Sequence, residues 1–192
     1  ATDKLAMFKN TLAQMTAAGY VLIGMDHFAK KDDSLAIAQQ QGLLHRNFQG
    51  YTTHGDCDLL GLGVSSISQV GNSIFQNPKE LKDYYQAVET SGIAVCKGLT
   101  LNDDDCLRAD VIRQLICHFT LDIPTIERQY GINFKVYFAS ALVQLQTLAA
   151  DNMLSVEPKT ITVTAKGRLF IRIICMAFDA YLQRQAKLTR FS

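Results

Sequence analysis

The residue types in this chain that could do chemistry gather in one short run. Phe48, Gln49 and Tyr51 set an aromatic ring, an amide and a phenol almost side by side. That set suits a flat ligand with polar edges, such as an adenine ring, which takes a stacking surface and amide partners. Arg46 stands just before it, where a guanidinium could clamp a carboxylate; a surface ion pair is the ordinary alternative. Asp26 and His27 form a second candidate pair. They read either as a hydrogen-bonded couple that fixes the next loop, or with His27, adjustable near neutral pH, handling a substrate carboxylate or a proton. Arg172 interrupts the most apolar stretch of the chain, so a buried guanidinium there needs a partner. Asp179 is the ordinary choice and a substrate carboxylate the sharper one.

Two further clusters carry less. Asp103, Asp104 and Asp105 diverge around a helix axis, so they read as an acidic first turn behind an Asn102 cap, not as a metal site. The cysteines, Cys57, Cys96, Cys106, Cys117 and Cys175, are scattered and odd in number. They fit a reducing compartment better than a disulfide framework, and a cytoplasmic location is expected.

The elements that must position these residues follow from periodicity. Leu5, Phe8, Leu12 and Met15 predict a helix over 3–18, which Gly19 stops. A buried strand over 20–25 and a helix over 33–41 follow. This alternation suits a parallel sheet, in which the C-terminal ends of strands are the usual place for chemistry, and Asp26 and His27 sit at such an end. Gly50 and Gly55 leave no room for an amphipathic helix, so the run between them reads as an ordered, exposed loop. From Leu60 the period is two: Leu60, Leu62 and Val64 point one way, while Gly61, Gly63, Ser65 and Ile67 leave the other face nearly bare. A bare face either packs against a bulky neighbour or leaves space for a ligand. Residues 70–75 are poorly patterned. A helix then starts at Pro78 or Lys79 and ends near Gly92, with Tyr84 and Tyr85 as packing residues.

Beyond residue 99 the composition changes. A helix from Asp103 presents Leu107, Val111 and Leu115, with Ile112, Ile116 and Phe119 widening the apolar stripe. Helices over 125–130 and 134–150 follow, then a hairpin from 154–156 and 161–163, then a buried helix over 165–184. Three helices, a hairpin and a closing helix look like a winged helix. The helix that would enter a nucleic-acid groove carries only Lys135 as a basic residue, and the hairpin adds only Lys159. With a net charge of +1 the chain lacks the cations that phosphate contacts demand, so no nucleic-acid partner is expected. No stretch has the length and apolarity of a membrane span, and no membrane partner is expected.

The segments IGMDHFA (23–29), LHRNFQGYTT (44–53) and DLLGLGVSSIS (58–68) closely resemble the oxygen-independent coproporphyrinogen III oxidases, which are radical S-adenosylmethionine enzymes. The resemblance continues in register through QNPKELKDYY (76–85), LICHF (115–119) and VTAKGRLFIRIICM (163–176), nearly the whole chain. It implies an α/β then mostly α fold: residues 1–95 as the last strands and helices of a partial TIM-type (β/α) barrel, and 96–192 as a winged-helix-like helical domain. It implies oxidative decarboxylation of two propionates of coproporphyrinogen III to vinyl groups, giving protoporphyrinogen IX in haem biosynthesis. S-adenosylmethionine supplies the radical that takes a propionate β-hydrogen, and loss of carbon dioxide and an electron follows. By resemblance Phe48 and Gln49 contact a second S-adenosylmethionine, and Ile67, through its backbone, the adenine of the first. His27, Arg46 and Arg172 are the candidates for holding the substrate.

One departure matters. The family holds a [4Fe-4S] cluster with C-x-x-x-C-x-x-C, a spacing these cysteines offer nowhere. The chain therefore reads as the C-terminal part of a longer, monomeric enzyme, inactive alone, with the cluster ligands elsewhere. The competing reading is a non-catalytic α/β plus winged-helix module that binds a tetrapyrrole or a protein partner.

Overall fold

The computed structural model describes residues 2–182. Helix α1 (Thr2–Ala17) ends where Gly19 takes a φ of +86°, as its position predicts. Strands β1 (Tyr20–Gly24) and β2 (His27–Lys30) then form a tight antiparallel hairpin. The expected parallel arrangement is not found: among the described residues every strand pairing is antiparallel. The reason at this point is Met25, whose φ of 53° turns the chain straight back so that no crossover forms. Asp26 and His27 accordingly lie in and just after a hairpin turn.

Helix α2 (Ser34–Gln40) starts at Asp33, whose carboxylate accepts from the Leu35 N–H at 2.8 Å. Strands β3 (His45–Arg46) and β4 (Tyr51–Thr52) make a minimal hairpin. The strand predicted from Leu60 is irregular chain instead, and regular pairing begins only with β5 (Ile67–Val70). Gly63 (φ 95°) and Ser65 (φ 57°) break the extended path. The bareness at Gly61 serves packing: a Cβ there would lie 2.8 Å from the Ile67 carbonyl oxygen. The poorly patterned 70–75 stretch turns at Gly71 into β6 (Ser73–Gln76). Helix α3 (Leu81–Ser91) follows, capped by Gly92 at φ 73°, and β7 (Lys97–Thr100) returns to the free edge of β6.

Helix α4 (Asp103–His118) opens with a full capping box, Asn102 accepting from Asp105 N–H while the Asp105 carboxylate accepts from Asn102 N–H. Strand β8 (Thr120–Asp122), α5 (Ile123–Tyr130), α6 (Phe134–Tyr137) and α7 (Ala139–Ala150) follow. Strands β9 (Leu154–Val156) and β10 (Thr160–Val163) complete a sheet ordered β8-β10-β9. The expected single closing helix is broken into α8 (Ala165–Arg168) and α9 (Ile171–Met176). Phe170 leaves helical geometry at φ −120°, ψ 23°, so Ile173 and Met176 face outward, about half exposed, instead of being buried all round. The end of that predicted helix, 183–184, lies outside the described residues.

Two apolar clusters result. The larger holds Phe134, Phe138 and Phe178, with ring centroids 4.7–6.4 Å apart, together with Leu107, Val111 and Leu115 of α4. The smaller gathers Ile23, Ala29, Ala36, Ala38 and Leu44 around Cys117. A fully buried Leu or Phe contributes about 1.5–3 kcal/mol, so the larger cluster carries most of the stability. Helix α4 is common to both. No helix among the described residues is long and apolar enough to cross a membrane.

Candidate functional site

The loop between β3 and β4 is built by Asn47. Its side-chain oxygen accepts from the Gln49 and Gly50 N–H groups at 2.8 and 3.2 Å, and its own N–H donates to the Gly50 carbonyl at 3.0 Å. Gly50 closes the turn at φ 141°, a value that favours glycine. Phe48 and Gln49 are thereby held at an exposed tip. The Phe48 ring reaches a cavity of about 190 Å³ that Ile67, Phe75, Gln76 and Leu99 also line. Two residues singled out in the sequence, Phe48 and Ile67, therefore line one cavity. Gln49 is not among the residues lining that cavity. The entry to β5 is fixed by amides: Gln76 donates to the Ser65 carbonyl at 2.9 Å, and Asn77 to the Gly63 carbonyl at 3.0 Å.

A second group forms around Tyr51. The His27 ring meets it edge-on, centroids 5.2 Å apart at 76°, and the Arg46 guanidinium carbon lies 5.7 Å from its centre. His27 Nδ1 is 2.9 Å from a carboxylate oxygen of Asp26, which is the hydrogen-bonded couple that one reading of the sequence anticipates. The Tyr51 hydroxyl donates to the Ile116 carbonyl at 3.2 Å, and burial pushes the phenol pKa up. Nothing in the local sequence around Tyr51 signalled this role, because its partners come from three separate segments.

Arg172 differs from expectation. It is exposed, because the helix breaks just before it, and Asp179 instead accepts from the Tyr181 and Leu182 N–H groups at 2.9 and 3.1 Å. Arg172 does line a cavity of about 390 Å³ with Phe8, Met25, Asp26 and Phe170. The Met25–Asp26 turn thus borders this mostly apolar cavity, and Asp26 also pairs with His27 of the Tyr51 group. A third, polar cleft of about 460 Å³ contains His45, Arg46, Asp110 and Arg113. Burial, followed by the Arg113 charge, lowers the pKa of His45 and of His118.

No family model matches the chain. It is 55% identical over 192 residues to the oxygen-independent coproporphyrinogen III oxidase of Salmonella typhimurium, covering 100% of this chain and 42% of that protein. The Escherichia coli oxidase is 55% identical over 190 residues, 99% of this chain and 42% of that protein, and the Pseudomonas aeruginosa one 51% over 180 residues, 94% and 39%. The solved structure of coproporphyrinogen III oxidase from Escherichia coli, described as a radical SAM enzyme, superposes with a TM-score of 0.90 at 56% identity. That superposition covers 93% of this chain and 41% of the other. The chain corresponds to the C-terminal portion of the oxygen-independent coproporphyrinogen III oxidases. It spans less than half the length of the curated oxidases it matches.

Against the oxidases' radical SAM chemistry, the cysteines here are informative. Cys117 and Cys175 are buried, and burial pushes their thiols up to about 11 and about 12. Cys57 and Cys96 are exposed. Among the described residues no three of the His, Cys, Asp and Glu side chains are placed to hold a metal ion. An iron–sulfur cluster needs thiolates converging on one place, so these residues do not fit one. The cavity lined by Phe48 and Ile67 is apolar.

Proposed function

We propose that this chain is the C-terminal portion of an oxygen-independent coproporphyrinogen III oxidase of haem biosynthesis, which converts two propionates of coproporphyrinogen III to vinyl groups and yields protoporphyrinogen IX. The observation that carries this is 55% identity through all 192 residues, to proteins of that name. S-adenosylmethionine, when bound, supplies the hydrogen-abstracting chemistry. The cluster that cleaves it takes its ligands from outside this chain.

In this reading, Phe48 and Gln49 hold a second S-adenosylmethionine by ring stacking and amide hydrogen bonds, and the Ile67 backbone meets the adenine of the first. The cavity that Phe48 and Ile67 both line supports it. Arg46, His27 and Arg172 hold substrate carboxylates, and the apolar cavity beside Arg172 takes part of the macrocycle. Residues 1–95 then form the closing part of a (β/α) barrel whose parallel strand neighbours come from outside this chain, since the pairings within these residues are antiparallel. Residues 96–192 form a winged-helix-like domain, a reading supported by the order helix, strand, helices, hairpin and by the sheet order β8-β10-β9. That domain caps the substrate side and does not read nucleic acid. The enzyme acts in the cytoplasm as a monomer.

The test is a titration of the enzyme with a coproporphyrin and with duplex DNA at low and high salt. Porphyrin binding dominated by apolar burial is expected to weaken little with salt, whereas phosphate contacts weaken steeply. Tight, salt-sensitive DNA binding without porphyrin binding overturns the reading.

A further inference from the structure

We propose that Tyr51 is a positioning residue for substrate binding: tethered to α4, it holds Arg46 and His27 on one face, and Gly24 makes the room for its hydroxyl. This rests on the reading of Arg46 and His27 as carboxylate holders.

The need for an anchor comes from β3 and β4 themselves. Each strand is two residues long, with His45 opposite Thr52 and Arg46 opposite Tyr51, and so short a ladder fixes little on its own. Because Arg46 and Tyr51 are a cross-strand pair, their side chains project on the same face, and whatever fixes Tyr51 fixes Arg46. The fixing bond runs from the Tyr51 hydroxyl to the Ile116 carbonyl, 3.2 Å away. Ile116 is in the last turn of α4, where carbonyls lack an intrahelical partner, so the acceptor is available for an outside donor. His27 arrives from a different hairpin and packs its ring edge on the same phenol. One ring thus sets the spacing between a guanidinium and an imidazole.

Gly24 is the complementary half. A Cβ at this position would lie 2.1 Å from the Tyr51 hydroxyl oxygen and 3.3 Å from the Ile116 carbonyl oxygen. The Cβ of an alanine there therefore pushes the hydroxyl off its acceptor, and the three atoms nearest to it belong to Tyr51 and Ile116, although Gly24 also faces His27 across the β1–β2 hairpin.

The test is steady-state kinetics on the anaerobically purified enzyme carrying Y51F, G24A, R46A, H27A and the Y51F/R46A pair. Y51F keeps the ring and removes only the tether. It is expected to raise KM for coproporphyrinogen III about five- to tenfold with a smaller change in kcat, the signature of lost ground-state binding. G24A is expected to do the same. If Tyr51 acts through Arg46, adding Y51F to R46A changes KM by no more than about twofold beyond R46A alone. An unchanged KM in Y51F, while R46A or H27A raises it, overturns the positioning role and leaves the site reading intact. Fully additive effects in the double variant overturn it too. Unchanged KM in both R46A and H27A overturns the site reading itself.

Discussion

The side-chain amide of Gln39 donates to the backbone carbonyl of Cys117 at 2.8 Å, joining α2 to the C-terminal turn of α4. The same amide nitrogen donates to the Ile23 carbonyl of β1. Cys117, like Ile116, is one of the helix-end residues whose carbonyls have no partner within the helix. The N-terminal half therefore docks on α4 by filling its vacant acceptors. Removing the amide leaves these part-buried carbonyls unpaired, at a cost of about 1–3 kcal/mol each if water cannot replace it. Q39L is expected to lower the urea midpoint of the N-terminal half while the helical half keeps its own. An unchanged midpoint would show that the docking rests on apolar contact alone.

The loop tip gives a second prediction. Substituting Phe48 and Gln49 together with Ala in the enzyme is expected to cripple turnover while iron content stays the same, since neither residue is a thiolate ligand. Turnover equal to the parent's would return the loop to a purely structural role.

The third concerns iron. Anaerobic incubation of this chain alone with iron and sulfide is expected to give no stoichiometric cluster, because Cys117 and Cys175 are buried with raised pKa values and Cys57 and Cys96 are exposed singly. A cluster with its charge-transfer absorbance at one per chain would refute this.

Acid sensitivity follows from His118. Its Nδ1 is buried with no hydrogen-bond partner among the described residues, and burial, then the Arg113 charge, lowers its pKa. His45 is lowered for the same reasons. The unfolded chain then binds protons more readily than the folded one, so the stability is fully present above the ordinary histidine value of about 6.5 and is lost as the pH falls below it. The melting temperature is expected to drop between about pH 7.5 and pH 5.5, and to drop less in H118N, as these lowered values imply. Equal slopes for parent and variant would remove His118 from the account.

Much of the fold was legible wherever a local rule decides it. Gly19, Gly92 and the Asn102 cap stand where the sequence puts them, because each answers to backbone geometry within a few residues. The misses share a different cause. The 60–66 stretch alternates like a strand, yet the positive φ of Gly63 and Ser65 bends it away. Arg172 was expected inside because apolar residues surround it in sequence, but the break at Phe170 turns it outward. In the site, the Phe48–Gln49 run was visible as a local inventory. The roles of Tyr51 and Gln39 were not, since a hydrogen bond to a helix end far along the chain leaves no periodic trace.

The unequal division of the apolar core sets an order of opening. The helical half can stay closed on its own large cluster while β1, β2 and α2 let go of α4, since they depend on only a handful of buried residues. Amide protons of Ile23 and Leu44 should then exchange with solvent through a partial opening, well before those of Val111 or Leu145. A ligand that bridges the Tyr51 group and the cavity beside Arg172 would close that opening by mass action, so its arrival should slow exchange most in the residues that begin the chain.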